Sequence, residues 1–134
     1  GFTEYNDGTI QFETTQWSQG YYDNGKIWQT FTLPKGKYEM RIEVKNAANI
    51  GSGSTNIHFA VAQGESLPDN EELEKSDIIL SYLKFESEHT NKTSALPIFE
   101  LTEEKTITVG WVVSFSDICR NIEFKSVRLW SVAE

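Results

Sequence analysis

The stretch Lys26–Val44, KIWQTFTLPKGKYEMRIEV, decides the fold class. Two runs of β-favouring residues flank Leu33-Pro34-Lys35-Gly36, a short turn in which Pro presets φ and Gly can take φ > 0. In the second run Tyr38, Met40, Ile42 and Val44 share one face, while Glu39, Arg41, Glu43 and Lys45 share the other. Strict alternation of this kind describes a strand with one side in a core and the other in water. In the first run Ile27, Phe31 and Leu33 line one side with Gln29, and Trp28, Thr30 and Thr32 line the other.

The same period recurs outward from this stretch. Ile10 and Phe12 begin an alternation, and Ile57, Phe59 and Val61 continue one opposite His58, Ala60 and Ala62. Ile78–Phe85 is an apolar run, and Leu96–Leu101 is a short strand that Pro97 confines to an edge or a beginning. Lys105–Phe115 places Ile107, Val109, Trp111, Val113 and Phe115 on one face. The last run, Cys119–Val132, breaks parity between Phe124 and Val127, which a β-bulge around Lys125-Ser126 explains. Residues 14–25, 46–55 and 86–94 read as loops, and Asp69 with Glu72 in the acidic segment 64–76 suits one capped helical turn. No long amphipathic helix and no internal repeat occur. The expectation is an all-β, antiparallel sandwich of about eight or nine strands, a jelly roll rather than a closed barrel, with at most one short helical turn.

A chain of 134 residues suffices for a single domain, 1–134, and no linker divides it. Twenty acidic against 12 basic side chains give a net charge of −8, which argues against partnership with nucleic acid or an anionic membrane surface. Cys119 is the only cysteine, so no internal disulfide can form. No apolar run approaches a membrane span, so direct insertion of this domain is not expected. Gly1 stands without a preceding Met, which leads us to expect a piece excised from a longer protein.

Chemistry-bearing patterns are few. His58 and His89 are far apart and one Cys cannot complete a zinc tetrad. A structural Ca²⁺ at loop carboxylates such as Asp7, Asp23 or Asp117 stays open, and no other cofactor is expected. There is no G-x-S-x-G elbow, no phosphate-binding Gly-rich loop, and no carboxylate pair set apart from solvated strand faces and loops. The chain is therefore expected not to be an enzyme.

Aromatics, 13% of the chain, are the remaining signal. Sugar rings present apolar C–H faces that lie on Trp or Tyr while amides and charges bond their hydroxyls. Trp17, Tyr21 and Tyr22 lie in a polar, loop-like stretch with Asn24 and make the leading candidate ligand surface. Trp28 is a further candidate, with a packed, structural role as its competing reading. Arg41 and Glu43 mark a second surface, and His58 with the small Ala60 and Ala62 would form a shallow groove if it lay alongside. Trp111 is expected in the core, and Trp130 in the core or between the sheets.

The blocks KIWQTFTLPKGKYEMRIEV, FAVAQGESLPDNEELEKSDIILSYLKF and FELTEEKTITVGWVVSF resemble those of uncharacterised C-terminal domains of Bacteroides cell-surface lipoproteins. The resemblance implies a galactose-binding-like jelly roll, exported to the periplasm or outer-membrane surface as the C-terminal part of a larger lipoprotein. It further implies a non-catalytic, carbohydrate-binding-module-like role with a glycan as partner. The alternative is a structural or protein-interaction domain that packs on the other domains of its parent lipoprotein.

Overall fold

Alternating β-branched and aromatic residues settle into strands throughout the computed structural model, which describes residues 2–4, 10–13, 22–46, 55–86, 90–115 and 121–132. In chain order these are β1 (Phe2–Glu4), β2 (Ile10–Glu13), β3 (Tyr22–Leu33), β4 (Gly36–Asn46) and β5 (Thr55–Gln63). After the single-turn helix α1 (Asn70–Leu73) come β6 (Ile79–Lys84), β7 (Lys92–Ala95), β8 (Phe99–Leu101), β9 (Lys105–Phe115) and β10 (Asn121–Val132). Every pairing is antiparallel. One sheet runs β1-β2-β10-β4-β7, with β8 also on β4, and the other runs β3-β9-β5-β6. The result is the antiparallel jelly-roll sandwich expected.

The opening stretch is a corner between the sheets. β3 pairs with β9 and β4 with β10, so the Leu33–Gly36 turn carries the chain from one sheet to the other. Tyr38 closes that corner, its Oη–H donating to the Pro34 carbonyl at 2.8 Å. Tyr38, Met40, Ile42 and Val44 then point inward against Ile57, Phe59, Val61, Ile107 and Val113 of the facing sheet. Trp111 centres the core: its ring lies 4.6 Å from Phe124, 4.9 Å from Phe85 and 5.1 Å from Phe59, centroid to centroid. Edge-to-face and offset contacts of this type add to the area term of burying an aromatic.

Three local expectations change. β3 begins at Tyr22, inside the stretch that reads as loop, with a register irregularity between Tyr22 and Gly25 before regular pairing to β9 starts. β7 forms where a polar loop was expected, because an edge strand needs only β4's backbone and not an apolar face of its own. α1 forms, but without the capping box. The Asp69 carboxylate is drawn to Lys26 Nζ at 2.7 Å, and the Asp69 carbonyl instead accepts from the Glu72 N–H at 3.0 Å. The expected bulge in β10 is present, with register shifts on both sides of Phe124 against β4.

The two outer faces are treated differently. On the β3-β9-β5-β6 sheet, Ala60, Ala62 and Val112 are covered by Leu67 and Leu73 from the 64–78 connection. Gly64 starts that connection at φ +103°, a conformation that suits glycine, and its carbonyl accepts from Thr108 Oγ1 at 2.8 Å. Lys26 Nζ, donating to the Leu67 carbonyl at 3.0 Å, ties the connection to β3. The opposite sheet carries no such cover among the described residues.

Candidate functional site

The bare face is built by the alternation of β4 and the bulge of β10. With Tyr38, Met40 and Ile42 inward, β4 turns Glu39, Arg41 and Glu43 outward. In β10, Phe124 is in the core, yet Val127 and Leu129 also pack on it three and five residues later. One extra residue between them makes this possible, and it sends Arg128 and Trp130 outward beside Arg41 and Glu39. β7 adds Thr93, opposite Glu43.

Trp130 is 44% exposed there. The Arg41 guanidinium carbon stands 5.1 Å from the Trp130 ring centroid, and Arg41 Nε donates to Glu39 Oε1 at 2.6 Å. A cation held against an indole and anchored by a carboxylate fixes the orientation of both side chains. Arg41, Glu43, Thr93, Arg128 and Trp130 enclose a hollow of about 180 Å³. A second hollow of about 280 Å³, lined by Lys45, Asn91 and Lys92, shares Glu43 and Thr93 with the first. Together they form a trough along β4 from Glu39 to Lys45, about 20 Å at a strand's rise per residue. An aromatic wall, hydroxyl and cationic donors and carboxylate acceptors suit a chain of linked, hydroxylated rings better than a compact apolar molecule.

Of the residues singled out in the sequence, Arg41 belongs to this trough. Trp17 and Tyr21 lie outside the described residues, as do Asp7 and Asp117. Tyr22 and Asn24 lie in the first residues of β3, and their side chains are outside what is described. Trp28 is 57% exposed, opposite Gly110 on the outer side of the other sheet, which goes against its competing reading as a packed side chain. Among the described residues β3 is an edge strand, flanked by β9 alone. Trp28 and Gln29 also border an apolar hollow of about 200 Å³ that reaches Phe59, Val109 and Phe124 at the sandwich edge.

His58 is not at the surface. It is 1% exposed, with Nδ1 2.8 Å from Asn70 Oδ1 and Nε2 2.7 Å from Glu74 Oε2. Asn70 Nδ2 donates onward to Ser114 Oγ at 2.7 Å. The groove envisaged beside Arg41 does not form, because Ala60 and Ala62 accommodate Leu67 and Leu73 and stand on the other sheet. Trp130 and Arg128 escaped the sequence reading, although the signal was there. Once the parity break is accepted, Val127 and Leu129 take the inward positions and Arg128 and Trp130 must face out. Among the described residues, no three His, Cys, Asp or Glu side chains gather to hold a metal ion.

The family described as Domain of unknown function (DUF5013) matches residues 1–110. No curated protein matches the chain in sequence. Among solved structures it is similar to the EclA C-terminal domain, a sugar-binding protein, at TM-score 0.52 and 12% identity over 91% of this chain and 76% of that one. It is similar to TmCBM61 in complex with β-1,4-galactotriose, at TM-score 0.51 and 12% identity over 98% and 81% of the two chains. It also resembles part of Xylanase10C from Cellvibrio japonicus, solved with xylopentaose, at TM-score 0.56 and 14% identity; 98% of this chain spans 24% of that enzyme. At identities this low the likeness establishes a shared fold, the antiparallel jelly roll.

Proposed function

We propose that this chain, which belongs to the family described as Domain of unknown function (DUF5013), is a non-catalytic carbohydrate-binding module that holds a glycan along the β10-β4-β7 face. The observation that carries this reading is Trp130, half exposed on a sheet face that the described residues leave uncovered and braced by Arg41, in a trough lined with hydrogen-bonding side chains. Structures that share its fold, one described as a sugar-binding protein and two solved with an oligosaccharide, support the ligand class. Glu39, committed to Arg41 at 2.6 Å, is ill placed to donate a proton to a leaving group, in keeping with binding rather than hydrolysis. In this reading the domain is exported and displayed as part of a larger lipoprotein, where it would keep its parent near a polysaccharide.

The exposed large hydrophobics among the described residues are Trp28, Ile98 and Trp130, and the two tryptophans face opposite sides of the sandwich. That distribution favours a ligand on one face over packing of the domain through one broad apolar patch. A glycan array on the wild-type domain, followed by titration of the hits, tests the reading. Trp130→Ala should weaken the best ligand about tenfold or more, the ~1.4 kcal/mol or greater expected of a central aromatic contact. Hits that tolerate Trp130→Ala but vanish with Trp17→Ala or Tyr22→Ala would move the site to the preceding loop. An array without hits would remove the glycan reading altogether.

A further inference from the structure

Arg41 and Arg128 stand directly opposite each other across β4 and β10. Side chains so paired have their Cβ atoms about 4.5–5.5 Å apart, and like charges there are destabilising. Arg41 is compensated by Glu39 and lies against Trp130. Arg128 is exposed, and no hydrogen bond or ion pair engages it among the described residues. Its outward direction is set by the same bulge that exposes Trp130, so the fold places an uncompensated guanidinium next to an aromatic platform. The neighbouring hollow continues the theme with Lys45 and Lys92. Among the described side chains at the two hollows, four cations, Arg41, Arg128, Lys45 and Lys92, stand near two carboxylates, Glu39 and Glu43, in a protein whose net charge is −8.

From this the geometry points to an anionic sugar, one bearing a carboxylate or a sulfate ester, as the ligand of the trough. The inference rests on the glycan-binding reading above and narrows it. The planar fork of Arg128 can donate two parallel N–H bonds to two oxygens of such a group, while the ring carrying it lies toward Trp130. Adding a negative charge between Arg41 and Arg128 also relieves their mutual repulsion, so the ligand completes the cross-strand pair. The overall negative charge opposes approach only over distances that salt screens, beyond a Debye length of about 8 Å at physiological ionic strength. Contact at Arg128 lies inside that distance.

The test uses two matched pairs of probes at physiological salt: polygalacturonate with its fully methyl-esterified form, and dextran sulfate with dextran. Affinity is measured for the wild-type domain and for Arg128→Gln, Trp130→Ala and Lys84→Gln, the last an exposed cation on β6. The inference expects the anionic member of at least one pair to bind about tenfold or more tightly than its neutral partner. Which pair responds tells carboxylate from sulfate. Arg128→Gln should abolish that preference, bringing the anionic probe down to the affinity of its neutral partner, Trp130→Ala should weaken both members, and Lys84→Gln should change neither. Neutral and anionic probes bound alike, with Trp130→Ala still harmful and Arg128→Gln silent, would overturn the anionic inference and leave the glycan site standing. Equal losses from Arg128→Gln and Lys84→Gln would mean bulk attraction and would also overturn it. Failure to bind any of the four would overturn it too, and the array hits would then decide the broader reading alone.

Discussion

Replacing His58 by Ala separates the fold from the ligand face, because the residue looks functional in the sequence and is built into the scaffold. Its ring is 1% exposed and joins Asn70, itself 5% exposed, at 2.8 Å. Truncation removes the buried imidazole bond to the Asn70 carbonyl, worth about 1–3 kcal/mol. The ring also packs edge-on to Tyr82, with centroids 6.0 Å apart, and its removal opens a hole that adds roughly 1–2 kcal/mol. The Glu74 contact adds little, since that carboxylate is half exposed and water can replace the imidazole. A total near 3 kcal/mol follows. With an unfolding entropy of about 2 cal/mol/K per residue, each kcal/mol moves Tm by roughly 3–4 °C in a chain of this length, so the variant should melt about 10 °C lower. Urea unfolding with Asn70→Ala and the double variant should show coupling of about 1 kcal/mol, and glycan affinity of the folded variant should equal wild type because His58 is on the other sheet. A loss under about 0.5 kcal/mol, or strictly additive variants, would refute the account of the polar network.

Trp111→Ala should cost about 3–5 kcal/mol, the range for deleting a buried Trp, by emptying the space between Phe59, Phe85 and Phe124; chemical denaturation would read it directly. Gly64→Ala should destabilise by about 1–2 kcal/mol although nothing lies within 4 Å of the added methyl, since φ +103° alone opposes a Cβ; a comparable melt would measure it.

The inward faces of β4 and β9 were legible because a two-sided environment writes itself as alternation: Tyr38 to Val44 and Ile107 to Val113 alternate, and they are core. The bulge was legible for the same reason, as a break in that alternation. β7 was not, because Lys92–Ala95 is an edge strand with exposed or half-buried side chains, stabilised by backbone pairing that leaves no apolar trace. Trp28 and Trp130 defeated a reading that relied on the usual burial of tryptophan. For Trp28 the missing knowledge was that β3 is an edge, which depends on pairing order. For Trp130 the bulge held the answer. His58 was misplaced because its cover, the 64–78 connection, reads locally as solvated acids; only Leu67 and Leu73 reveal that one side of it is buried.

The bulge has a consequence for how this face can diversify. Deleting a single residue near 125–126 would return β10 to unbroken alternation and swap its two sides. Arg128 and Trp130 would then compete for the core positions of Val127 and Leu129, and an uncompensated buried guanidinium costs several kcal/mol. Length changes at this point are therefore lethal to the fold as well as to the face. Substitution at 128 and 130 alters the chemistry of the trough at almost no structural cost, since both side chains are exposed. Relatives with new specificities should accordingly differ here in residue type while conserving chain length, a pattern an alignment of the family can check.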